Sequence, residues 1–257
     1  MVAAYFDQFN IIPIFSIWVY GGSIGSPFWI NGEFFCVSNT LFMMSFAVFL
    51  FYTIGAKGVN GGSLIPNRVL TGLELIYSHF YTVLKDNLGN KGGNYLAFVL
   101  SLFILILFGN GLGLFPYVFT PTVHMVITLG LSFAIIMGTT LSGLITFRLN
   151  FFSILMPQGA PLALAPLLTA IETLSYISRA ISLGVRLAAN ISSGHLLFSI
   201  IASFAWKMIS TGILVGSFVP FAILIFVTIL EMAVAIIQAY VFTLLTIVYL
   251  RDTVELH

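Results

Sequence analysis

Charge is what this chain has least of: 7% of its 257 residues are Asp, Glu, Lys or Arg, where an ordinary soluble domain carries about a quarter. So few ionic groups cannot cover a globular surface in water. With 60% hydrophobic residues and a mean hydropathy of +1.11, the chain reads as an integral membrane protein. A basic excess is missing too. A net charge of +1 excludes nucleic acid as a partner, because neutralising phosphates needs a surface rich in Lys and Arg. Cys36 is the sole cysteine, which excludes an internal disulfide framework and any cysteine-based metal cluster. The opening Met1-Val2-Ala3-Ala4-Tyr5-Phe6-Asp7 lacks the basic start of a secretory signal and is not an Arg-rich, acid-free transit peptide. It predicts entry into the membrane without a removable address, as for an organelle-encoded or bacterial protein. There is no internal repeat and no low-complexity segment.

What the chain has instead is long apolar runs. About 20 apolar residues cross a bilayer, and the runs predict a single all-α membrane domain over 1–257, with about five crossings. An N-terminal segment occupies 1–33 and a first membrane helix 34–54. Over 66–85 the pattern changes. Leu70, Leu73, Ile76, Tyr77, Phe80, Val83 and Leu84 recur at helical spacing against Thr71, Glu74, Ser78, His79 and Lys85, the signature of an amphipathic helix lying on the membrane surface. A second hairpin spans 95–147. The last apolar runs, within 161–250, are each long enough for a helix of roughly 60–70 Å, twice the hydrocarbon thickness. They predict a steeply tilted antiparallel hairpin joined by a short turn at Lys207–Gly212. With five crossings, Lys57, Arg68, Lys85, Lys91, Arg148 and Arg251 share one side and Lys207 alone lies on the other. That bias puts the carboxyl end and the amphipathic helix inside.

Charged residues in such a background are expensive. Arg186 lies in Ser182-Leu183-Gly184-Val185-Arg186-Leu187-Ala188-Ala189-Asn190; its guanidinium stays protonated, and a charge at mid-membrane costs about 2.5–3.5 kcal/mol on insertion scales. Stepping about 100° per residue places Glu172, Arg179 and Asn190 within about 40° of Arg186, while His195 falls about 180° away. On the closing helix Glu231 and Gln238 share a stripe that Tyr249 continues. A turn centred near Thr211 would set Arg186 beside Ile236–Gln238 and His195 beside Val227–Glu231. The inside-to-outside order is then Glu172, Arg186, and His195 with Glu231, separated by roughly 21 Å and 13 Å. Titratable groups near each surface, on different faces, with a permanent cation between them, describe two half-paths rather than one pore.

Each residue also has a plainer explanation. Arg179 can be a structural partner of Glu172, and His195, Gln238 and Asn190 can be interhelical hydrogen-bond formers. His124, Asn110 and Glu74 carry weaker signals, and His124 reads first as an interfacial histidine. Two other functional classes fit less well. A haem- or quinone-handling subunit needs histidines paired in depth, which His79, His124, His195 and His257 do not supply. A self-contained transporter would show inverted repeats and broken helices.

The runs Ile171-Glu172-Thr173, Ser178 to Asn190 and Gly194-His195 resemble subunit a of the rotary F-type ATP synthase. So do the closing Gln238 to Leu250 and the stretch Asn110-Gly111-Leu112-Gly113-Leu114-Phe115-Pro116-Tyr117 with Thr120, Thr122 and His124. The likeness covers roughly Arg68 to Leu250, and the arginine motif is its most specific part. The resemblance implies a stator subunit with no catalytic site, cofactor or metal of its own. It would assemble with a ring of c subunits, the peripheral stalk and other membrane subunits. Arg186 would face the ring carboxylate; His195, Glu231, Gln238 and Asn190 would serve the outer proton path; Glu172 would serve the matrix path, with Arg179 either structural or part of that path. His195 on the earlier helix with Glu231 on the later one is the mitochondrial arrangement. It implies a multi-pass protein of the mitochondrial inner membrane, with its carboxyl end and amphipathic helix on the matrix side.

Overall fold

The computed structural model describes residue 11 and residues 13–18, 33–59, 68–114, 119–148, 165–212 and 216–254. The remainder of 1–33, positions 66–67, 116–118 and 161–164 lie outside the described residues. Six helices dominate: α1 (Asn39–Val59), α2 (Arg68–Leu88), α3 (Leu96–Gly113), α4 (Met125–Phe147), α5 (Ala165–Ser210) and α6 (Phe218–Val254). Short 3-10 turns at Gly89–Tyr95 and Pro121–Val123 lead into α3 and α4. Four helical stretches, Gly92–Gly113, Met125–Phe147, Pro166–Ser210 and Phe218–Val254, are long and apolar enough to cross a membrane, and Asn39–Thr53 is a shorter apolar helix. The membrane architecture is all-α.

The sequence reading assigned no strand, and the structure adds one antiparallel ribbon. β1 (Pro13–Trp18) pairs with β2 (Glu33–Ser38), Ser16 opposite Cys36 and Trp18 opposite Glu33. The apolar run that suggested a helix from 34 therefore begins as a strand, and α1 starts at Asn39. A short apolar run rich in Phe and Val suits either state until its pairing partner is known.

α2 buries Phe80, Leu84 and Leu88, one turn apart each time, and leaves its polar side open. α3 is apolar all round, yet its buried positions Leu96, Val99, Phe103, Ile106, Asn110 and Gly113 still follow one stripe. These two helices, with Leu183 and Leu187 of α5 and Phe242 and Ile247 of α6, form the common core. Between membrane helices the gain comes from close packing rather than from expelling water. Small residues allow it. A Cβ at Gly184 would lie 2.9 Å from Leu129 Cα and 2.9 Å from the Thr128 carbonyl oxygen, so α4 and α5 touch backbone to side. Ser132 donates across that contact to the Ala180 carbonyl at 2.9 Å. The buried hydroxyls of Thr139, Thr243, Thr246 and Thr253 donate to carbonyls of their own helix. That is how hydroxyls are satisfied where no water competes.

Candidate functional site

α5 and α6, at 46 and 37 residues, extend about 69 Å and 55 Å and pack antiparallel. Three polar pairs bridge them. Arg179 Nη1 donates to Asp252 Oδ2 at 3.1 Å. Asn190 Nδ2 donates to Gln238 Oε1 at 3.0 Å. His195 Nδ1 lies 4.0 Å from Glu231 Oε1. At that distance the last pair is an electrostatic neighbour rather than a hydrogen bond.

These pairs are centred in sequence between positions 213 and 216, and they correct the register expected from a turn at Thr211. α5 runs on to Ser210 and α6 begins only at Phe218, so the connection is longer than Lys207–Gly212. Gln238 is consequently level with Asn190, a turn beyond Arg186. Tyr249, buried, lies within electrostatic reach of both Arg179 and Arg186.

Arg186 itself is exposed on the flank of the hairpin, its Nη2 donating to Ser182 Oγ at 3.3 Å. Leu183, Leu187, Ala188 and Ile191 are buried on the other side of the helix and hold it there. Among the described residues Arg186 makes no salt bridge. Arg179 differs: Glu172 Oε1 sits 3.6 Å from its Nη2, and Asp252 closes the second contact. Glu172 and Arg179 are thus brought together, both half-exposed, with a carboxylate that the sequence reading passed over. Asp252 lies beyond the last apolar run, and only the later turn centre puts it level with Arg179.

Near the α5–α6 turn the surroundings change. Glu231 is 8% exposed and its Oε1 has no hydrogen-bond partner among the described residues. A buried carboxylate oxygen without a hydrogen bond is costly, and His195 at 4.0 Å is the ionisable neighbour that offsets it. Gly194 makes room for the carboxylate: a Cβ there would lie 2.9 Å from Glu231 Oε1. Thr120 Oγ1 lies 3.4 Å from His195 Nε2. Thr120 and Thr122 in turn press on Gly113 and Gly109 of α3, which brings Asn110 into the same neighbourhood. Asn110 is 1% exposed, and neither its amide nitrogen nor its oxygen has a partner among the described residues; the same holds for Thr122 Oγ1 and His124 Nε2. His124 stacks on Phe119 with ring centroids 5.2 Å apart, and burial holds its imidazole below the usual histidine range. Thr120 entered the sequence reading only as part of the family resemblance, with no role of its own, because it precedes the periodic part of α4. Glu74, also weighed from sequence, stays on the exposed side of α2.

Known proteins share this chain from end to end. The family described as ATP synthase A chain matches residues 38–251. An ATP synthase subunit a from Metridium senile is 52% identical over 257 residues, the whole of both chains. Others are 42% identical in Chondrus crispus, over 98% of this chain and 96% of that one, and 38% identical in Rhodospirillum rubrum, over 98% of each. A match of that extent and identity makes this membrane chain a member of the ATP synthase subunit a family.

Proposed function

We propose that the chain is the stator side of a rotary proton path in the mitochondrial inner membrane. In this reading it carries protons through two offset half-channels to and from carboxylates on a rotating ring of c subunits. The observation that supports this best is Arg186: a permanent cation, exposed on the flank of a membrane hairpin and without a salt bridge among the described residues. Such a charge calls for an anionic partner, and its outward position supports one on another chain.

The outer half-channel then runs through the orphaned polar groups near the α5–α6 turn. Asn110, Thr122 and His124 form its mouth, and Thr120, His195 and Glu231 its inner part. At 4.0 Å, His195 and Glu231 hand the proton over through an interposed water rather than directly. The Asn190–Gln238 bond ends this path one turn short of Arg186. The inner half-channel opens beside Glu172, with Arg179 and Asp252 at its side. Arg186 separates the two. The work available is about 2.3 kcal/mol per proton per 100 mV, and the peripheral stalk would resist the torque.

His195→Ala and Glu231→Gln in reconstituted complex are each expected to slow ATP-driven proton pumping by on the order of 10²-fold, the lower range for losing a positioned proton-transfer group, without raising the passive leak. Undiminished flux in both variants would remove the pair from the path. Gly194→Ala should give a milder loss with normal assembly. The atom its methyl meets is the end of Glu231, which swings aside and leaves His195.

A further inference from the structure

We propose that Thr120 is a positioning residue for His195: its buried hydroxyl donates to Nε2 and holds the imidazole in the tautomer whose Nδ1 proton faces Glu231. Thr120 stands, with an extended backbone, immediately before the 3-10 turn Pro121–Val123. A threonine followed by proline at such a start ordinarily turns its side-chain oxygen onto the amides of the first turn. Thr120 makes no such cap. Its side chain is buried, and its Oγ1 lies instead 3.4 Å from His195 Nε2.

Gly113 of α3 makes that placement possible. A Cβ there would lie 2.5 Å from both Thr120 Oγ1 and Thr120 Cγ2, so a methyl group at 113 would turn the hydroxyl off its line. Thr120 is thus held from α3 and aimed at α5.

The groups on either edge of the ring decide which atom donates. A neutral imidazole carries one proton, and its partners fix the nitrogen that holds it. Hydroxyls buried elsewhere in the bundle, such as those of Thr139, Thr243 and Thr253, give their proton to a carbonyl of their own helix. Among the described residues the Thr120 hydroxyl is paired with His195 Nε2 instead. Unless that nitrogen is bare, the hydroxyl proton is buried without an acceptor, which is costly. At the opposite edge Nδ1 lies 4.0 Å from Glu231 Oε1. A lone pair there would oppose those of the carboxylate, whereas Nδ1–H turns its positive end toward it. Both edges select the Nδ1–H form. The proton to be handed on then stands on the Glu231 side. That consequence rests on the proton path proposed above; the tautomer does not.

The test uses the assembled complex with nitrogen-labelled histidine at about pH 8, above the ordinary histidine range, and reads both ring nitrogens by solid-state nuclear magnetic resonance. The His195 signal is the one lost in His195→Ala. The parent is expected to show a protonated Nδ1 and a bare Nε2. Thr120→Val keeps the shape and removes the hydroxyl. It should shift the tautomer ratio toward Nε2–H about fivefold, the worth of one ordinary hydrogen bond, and Thr120→Ser should restore it. Gly113→Ala, which leaves Thr120 in the chain but displaces its hydroxyl, should reproduce the Thr120→Val spectrum. ATP-driven pumping should slow about fivefold in Thr120→Val and recover in Thr120→Ser. A shifted tautomer with undiminished pumping keeps Thr120 in this role and counts against His195 as a step of the path. An Nε2–H tautomer in the parent overturns the proposal. So does an unchanged tautomer in both Thr120→Val and Gly113→Ala.

Discussion

Replacing Arg186 with alanine is expected to abolish coupled proton pumping in vesicles containing the whole complex, with the protein still assembled. Assembly survives because Arg186 is exposed and its side-chain hydrogen bond among the described residues, to Ser182, is long at 3.3 Å. The packing of this part of α5 rests on Leu183, Leu187, Ala188 and Ile191 instead. Function is lost for an electrostatic reason. A cation about 4 Å from a carboxylate favours the ionised form by about 4 kcal/mol at an effective dielectric of 20, roughly three pKa units. Without it, a ring carboxylate arriving at the stator stays protonated and never discharges into the exit path. The barrier between the half-channels disappears as well, so the passive leak should rise. Normal ATP-driven pumping in the Arg186→Ala complex would end the proposed mechanism.

Adding one methyl group at Gly184 should be nearly as damaging, by a different route. The new Cβ would meet Leu129 Cα and the Thr128 carbonyl oxygen, each at 2.9 Å, and Ser132 Oγ at 2.7 Å. Two of these atoms are backbone and have no rotamer to adopt, so α4 and α5 must move apart. That stretches the Ser132 to Ala180 hydrogen bond and loosens a contact built on small residues. Overpacking costs typically about 1–3 kcal/mol, and backbone neighbours put this site at the top of that range. Gly184→Ala is expected to lower the melting temperature of the solubilised complex and its yield, while Gly194→Ala changes neither. Equal melting of Gly184→Ala and the parent would show that the helices do not approach so closely. Gly184 lies two residues before Arg186, so in the proposed mechanism the same contact would set the arginine against the ring.

The membrane class and the helical architecture were legible from composition and apolar run length, because a bilayer imposes both directly. That Arg186 stands in a long apolar helix was legible too, because a charge in such a run is plain from the sequence. The ribbon of Pro13–Trp18 with Glu33–Ser38 was not, because pairing is a relation between distant segments that neither shows alone. Asp252 was missed for a related reason. Its significance depends on the register of α6 against α5, and a small error in the turn centre displaces every predicted neighbour. Asn110 gave a weak signal and Thr122 entered only with the family resemblance; burial without hydrogen-bond partners among the described residues is what distinguishes them.

By itself, then, the sequence determined where helices form, which of them are apolar enough to cross, and which rare charges lie along them. Those properties follow from local composition and a fixed helical period. Tertiary structure alone decided which charges meet. Arg179 is closed by Glu172 and Asp252, Gln238 is taken by Asn190, and Glu231 is left buried opposite His195. Arg186 is the one that keeps facing outward. The physical reason is that contact between α5 and α6 depends on the length of the turn and on how closely glycines let helices approach. Both are properties of the packed bundle and not of any one segment.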